Sequence, residues 1–108
     1  MKYITHNQDP HINVNHTHLQ GYVDATFDQL TALFGAPGEG DGYKVDAEWL
    51  IQFEDGTVAT VYNYKTGRNY CGKHGTPVER MESWHVGGFT KDAAVRVQQA
   101  VNATNKGD

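Results

Sequence analysis

The sequence predicts an α+β fold: an antiparallel sheet of three to four strands with two helices packed on one face, in the order β-α-β-β-β-α. Three observations predict it. Residues 47–64 alternate in polarity on both sides of Asp55-Gly56, the mark of a β-hairpin. Thr26 and Thr90 each precede a run of apolar residues at helical spacing. A third alternating segment, RMESWHV, lies between the hairpin and the second helix.

The first eleven residues are polar and read as a flexible N-terminal arm, leaving 12–104 as a single domain. Within 12–22, Ile12, Val14 and His16 alternate weakly with Asn13, Asn15 and Thr17, which suits a short edge strand. Thr26 opens the first helix, and Gln29 three residues on completes a capping box. Phe27, Leu30, Leu33 and Phe34 give it one apolar face; Gly35 ends it and Pro37 prevents continuation. The glycine-rich segment 35–42 leads into the hairpin. A two-residue type I′ turn at Asp55-Gly56 would set Phe53 opposite Val58, Ile51 opposite Thr60, Trp49 opposite Tyr62 and Ala47 opposite Tyr64. These eight residues then share the core face, while Leu50, Gln52, Ala59, Val61 and Asn63 share the other. Residues 65–77 form a long glycine-punctuated loop, and 80–86 form the next strand, broken by Gly87-Gly88. Thr90 caps a helix over roughly 91–103, with Phe89 placed to staple onto Ala94. Ala94, Val97 and Val101 make its buried stripe, flanked by Ala93 and Ala100, and the terminal NATNKGD frays.

With 108 residues, 38% of them hydrophobic, the chain suffices for one modest core. No apolar run reaches the roughly 20 residues of a membrane span, and the polar N-terminus lacks the apolar stretch of a signal peptide. One cysteine, Cys71, agrees with a reducing, cytoplasmic setting. The net charge of −4 argues against general nucleic-acid binding. The charges are segregated, however. Residues 39–55 are acidic apart from Lys44, and 65–80 are basic apart from Glu79.

The basic loop is the foremost candidate site. Lys65, Arg68, Asn69, Tyr70 and Lys73 combine donors, a stacking face and glycines that let backbone approach an anion. This composition suits a phosphate or nucleotide-type ligand, although neither a P-loop nor a dinucleotide fingerprint is present. The acidic side, Glu39, Asp41, Asp46 and Glu48, is the alternative: a surface for a basic partner. Trp49, Phe53 and Tyr62 read as core, whereas Tyr64 and Tyr70 lie nearer the loop. His11, His16 and His18 lack further ligands at zinc-like spacing, and His85 reads as a partly buried histidine. Cys71 with His74 or His85 has no orienting third group, and Ser83 lacks a nucleophile-elbow context. No catalysis, metal or cofactor is expected.

The segments GDGYKVDAEW, DGTVATVYNYKTGRNYCG, TPVE and WHVGG together resemble a family of small phage-encoded proteins of uncharacterised type, over roughly residues 19–89. The resemblance implies a compact accessory protein, made in the cytoplasm of an infected bacterium, that counters host immune defence. Two modes follow. The protein would sequester an anionic nucleotide-type signal, such as a cyclic nucleotide, at the basic loop. Alternatively, it would bind a host defence protein through its acidic surface, as an anti-CRISPR-type inhibitor. A homo-oligomer is expected in the first mode, because one short loop rarely encloses a nucleotide.

Overall fold

The computed structural model describes residues 1–106. It is an α+β protein with a five-stranded antiparallel sheet in the order β1-β3-β4-β5-β2. The strands are β1 (Tyr3–Thr5), β2 (His18–Asp24), β3 (Glu48–Phe53), β4 (Val58–Tyr62) and β5 (Ser83–Gly88). The helices are α1 (Phe27–Phe34), the single turn α2 (Arg68–Cys71) and α3 (Asp92–Lys106). The sheet thus has one more strand than the upper expectation, and the helices include the additional short α2.

The fifth strand comes from the N-terminal segment expected to be a flexible arm. Tyr3–Thr5 pairs with β3 at the sheet edge, Tyr3 opposite Phe53 and Thr5 opposite Ile51. Its anchor is aromatic: the Tyr3 ring meets Phe34 and Phe53 edge-on at 5.2 and 5.7 Å, and its hydroxyl donates to the Leu33 carbonyl at 2.8 Å. The strand predicted within 12–22 is also an edge strand, but it begins later, at His18.

The β3–β4 register differs from the expected one by a single residue. Glu48 lies opposite Tyr62, Trp49 opposite Val61, Leu50 opposite Thr60 and Ile51 opposite Ala59. Three residues, not two, make the turn. The Phe53 amide donates to the Thr57 carbonyl at 2.8 Å, and the Gly56 amide donates back to Phe53 at 2.9 Å. Gly56 holds φ 91°, the left-handed position that closes a three-residue hairpin loop. A one-residue slip exchanges the faces of a strand. Trp49, Ile51 and Phe53 stay in the core as expected, but their partners there are Ala59, Val61 and Asn63. Val58, Thr60, Tyr62 and Tyr64 turn to the opposite face.

The core forms between the sheet and α1 and α3. Trp49 and Trp84 meet edge-on at 5.4 Å, with Phe27 against both. Each indole N–H is satisfied, Trp49 by the Gly35 carbonyl at 2.8 Å and Trp84 by that of Ala25 at 3.0 Å. The capping box at Thr26 and Gln29 is present, and the Gly35 amide closes the helix on Thr31. On α3, Ala93, Val97 and Val101 are fully buried, so the stripe centres on Ala93 rather than Ala94. Phe89 is half exposed, and Thr90 Oγ1 accepts the Asp92 amide at 3.3 Å. The helix runs to Lys106, through most of the segment expected to fray; residues 107 and 108 lie outside the described residues.

Gly87 and Gly88 do not break β5 but finish it. A Cβ on Gly88 would collide with the Ala93 Cβ, so the glycine lets α3 lie directly on the strand. No helix among the described residues is long and apolar enough to cross a membrane.

The helices cover one face only. Residues 6–17 join the two edge strands, β1 and β2, and begin against the end of α1, where Asn7 Nδ2 donates to the Phe34 and Ala36 carbonyls at 3.1 and 3.0 Å. Thr5, Ile51, Ala59, Gly88 and His18 lie in one row from edge to edge, and this segment joins the row's two ends. The span is about 19 Å at ~4.8 Å per strand spacing. Ile12 is buried without joining the core cluster, and Thr60, which points away from that core, is buried too.

Gly88→Ala should destabilise the fold by about 1–3 kcal/mol, the usual range for forcing a methyl into a packed contact. A shifted denaturant midpoint with an unchanged slope would register it.

Candidate functional site

The register places a row of side chains across the sheet face turned away from α1 and α3. Glu48 on β3 lies opposite Tyr62 on β4, Tyr62 opposite His85 on β5, and His85 opposite Tyr22 on β2. The His85 ring lies 5.0 Å from Tyr22, 5.4 Å from Tyr62 and 5.8 Å from Tyr64. Burial pushes the His85 imidazole below its ordinary pKa of 6.5. The Glu48 carboxyl is pushed up by burial and, second, by the negative charge of Asp41. The Tyr62 hydroxyl is raised by burial first, then by Glu48.

Beyond Tyr62 the chain divides its work between the two faces. Asn63 turns inward and is almost wholly buried. Its Oδ1 accepts the amides of Asp46 and Ala47 at 2.8 and 3.1 Å, and its Nδ2 donates to Asp46 Oδ1 at 2.9 Å. Tyr64 turns outward beside His85. Lys65 adopts a left-handed φ of 60° and donates its amide to Lys44 at 2.8 Å, which starts the loop.

The predicted basic loop is folded upon itself. The Thr76 amide donates to the Thr66 carbonyl at 2.9 Å, which closes its neck. Gly75 lies so close to Gly67 that a Cβ there would strike the Gly67 backbone. Asp46 supports it from beneath: Oδ2 accepts the Asn69 amide at 3.2 Å, and the carboxylate fills the space where a Gly67 side chain would stand. The Cys71 thiol donates to the Lys65 carbonyl at 3.3 Å.

This scaffold brings a cation and three tyrosines together. Lys65 Nζ lies 5.3 Å from the Tyr64 ring centre and 5.5 Å from that of Tyr70. Tyr70 meets Tyr43 at 5.3 Å, and Lys44 Nζ sits 5.9 Å from the Tyr43 ring centre. All three rings face solvent, with exposures of 56% for Tyr43, 39% for Tyr64 and 41% for Tyr70, so they can accept a ligand without unfolding anything. Since Tyr64 also touches His85, the tyrosine band is continuous from Tyr22 to Tyr43.

Of the five loop residues singled out from sequence, Lys65 and Tyr70 therefore sit together in a built cluster. Arg68 and Lys73 are exposed on α2 and the turn after it. Asn69 serves the scaffold, since its amide binds Asp46 and its Nδ2 approaches the Val45 carbonyl at 3.4 Å. Of the acidic set, Asp46 is tied to Asn63 and Asn69. Asp41 accepts the amides of Tyr43, Lys44 and Val45, which lower its pKa. Glu39 is exposed, and Glu48 belongs to the tyrosine row. Sequence reasoning placed Tyr62 in the core and gave Tyr22 and Tyr43 no part. The signal available for Tyr62 was the apolar pair Ala59 and Val61, which a three-residue turn would have buried. Among the described residues, no group of three or more histidine, cysteine or acidic side chains is placed to hold a metal.

Comparison with known families, curated proteins and solved structures finds no match to this chain.

Two outcomes follow from this geometry. Asp46→Ala should speed amide exchange at Asn69 and leave the β3–β4 amides protected, which exchange mass spectrometry or NMR would resolve. Because the folded state holds His85 below its ordinary pKa, it binds fewer protons there than the unfolded chain. Stability should therefore fall as pH drops through and below about 6.5, and His85→Gln should remove that part of the slope in melting temperature.

Proposed function

We propose that this protein is a non-enzymatic binding protein that holds an anionic, nucleotide-type ligand at the Lys65 cluster. The observation that carries the reading is the Lys65 ammonium set between two exposed tyrosine rings, with Tyr43 and Lys44 alongside. A lysine is a compact point charge suited to phosphate, and a tyrosine face suits a base. Stacking tolerates any base, so specificity would come from edges supplied elsewhere. The cluster is an open surface rather than an enclosed cavity, which is consistent with a second chain completing it. The biological role of such binding, sequestering a host immune signal such as a cyclic nucleotide, rests on the resemblance to small phage-encoded proteins.

The alternative, an inhibitor that docks its acidic face on a host defence protein, has less support. Two of its four carboxylates, Asp41 and Asp46, are already engaged by backbone amides of the chain itself.

A thermal-shift panel of mononucleotides, cyclic dinucleotides, cyclic trinucleotides and cyclic ADP-ribose isomers tests the reading, since a native-state ligand raises stability with its concentration over Kd. One class should raise the melting temperature. Tyr70→Ala should then weaken it by about 5- to 150-fold, the equivalent of one lost base stack. Lys65→Ala should weaken it and flatten its salt dependence. A panel without any shift, or equal affinity in Lys65→Ala, contradicts the assignment.

A further inference from the structure

The other end of the tyrosine band carries the opposite charge. Glu48 sits at the head of the row Glu48–Tyr62–His85–Tyr22, and Asp24 follows Tyr22 on the same face of β2. Tyr64 adds a third tyrosine around His85. Among the described residues Glu48 makes no ion pair; the one found there joins Arg96 to Asp55, at 3.0 Å. A half-buried carboxylate without a cationic partner is costly to keep charged. Its neighbours are aromatic faces, which attract cations by their quadrupoles. Tyrosines of this chain already hold ammonium groups in that way, Lys65 over Tyr64 and Tyr70, and Lys44 over Tyr43.

We infer that the field formed by Glu48, Tyr62, His85, Tyr64 and Tyr22 is a binding site for a weakly hydrated organic ammonium, of the quaternary or methylated kind. The class follows from the chemistry. Three phenol rings offer π-faces rather than a cage of hydrogen-bond acceptors. Only one carboxylate adjoins the rings directly, and it is itself partly desolvated. A lysine of the chain is tethered to its ring, whereas a free primary ammonium or a metal ion is strongly hydrated and gives up more water on entering than a quaternary head does. A quaternary head loses little, gains the rings and neutralises Glu48. The site is separate from the nucleotide reading: it shares Tyr64 alone, and its ligand carries no phosphate. Such a head occurs both in free choline-type compounds and on trimethylated lysine in a protein.

NMR titration of the whole protein tests the inference at constant ionic strength. Choline is compared with 3,3-dimethyl-1-butanol, its neutral isostere. A trimethyl-lysine peptide is compared with the same peptide bearing unmodified lysine. Choline should shift the ring resonances of Tyr22, Tyr62 and His85 saturably, and the neutral alcohol should not. The isosteric Glu48→Gln should weaken binding at least fivefold. Tighter binding of the trimethylated peptide than of choline, with the unmodified peptide weaker, would support the site and assign the head to a protein side chain. Tighter choline would support it and assign a small molecule. Equal response to choline and the alcohol, no saturable shift from either cation, or unchanged affinity in Glu48→Gln would overturn the inference.

Discussion

The pairing of β3 with β4 is the constraint on which the rest depends. It is fixed by a three-residue turn whose last member, Gly56, occupies a left-handed conformation that costs most residues about 1 kcal/mol or more. Asp55 helps hold it, accepting the Thr57 amide through Oδ1 at 3.0 Å and pairing with Arg96 of α3. With this register, β4 presents small side chains, Ala59 and Val61, to Trp49 and the helices. Its large polar ones face outward. Two bulky tyrosines beneath α3 would leave no room for the Trp49–Trp84 contact, so packing and turn geometry select the same pairing.

From that register the outer surface follows. Tyr62 and Tyr64 join Tyr22 and His85 because alternate residues of neighbouring strands share a face. The extension past Tyr62 adds the loop, and Asp46 couples the two. Its carboxylate binds Asn63 on one side and the Asn69 amide on the other. A buried asparagine and a half-buried aspartate thus spend their hydrogen bonds positioning residues that make none of the proposed ligand contacts themselves.

Much of this was legible in the sequence. Thr26 and Gln29 announced α1, Thr90 announced α3, and Asp55-Gly56 located the hairpin tip. What failed was the choice between two turn lengths that the dipeptide supports equally well. That choice inverted β4 and hid the aromatic face. The N-terminal strand was missed because three residues carry too little pattern; its stability comes from the distant contacts of Tyr3 with Phe34 and Leu33. The 65–77 loop was legible as basic and glycine-rich. That Asn69 and Asp46 build it rather than decorate it was not, since Asp46 lies far back in the chain from Asn69 and is itself held by Asn63, just past β4.

The most direct measurement is the β3–β4 register in solution, from interstrand Hα and amide NOEs. The account predicts Trp49 opposite Val61 and Glu48 opposite Tyr62. Contacts pairing Trp49 with Tyr62 would turn Tyr62 and Tyr64 into the core and break the tyrosine band between Tyr22 and Tyr70.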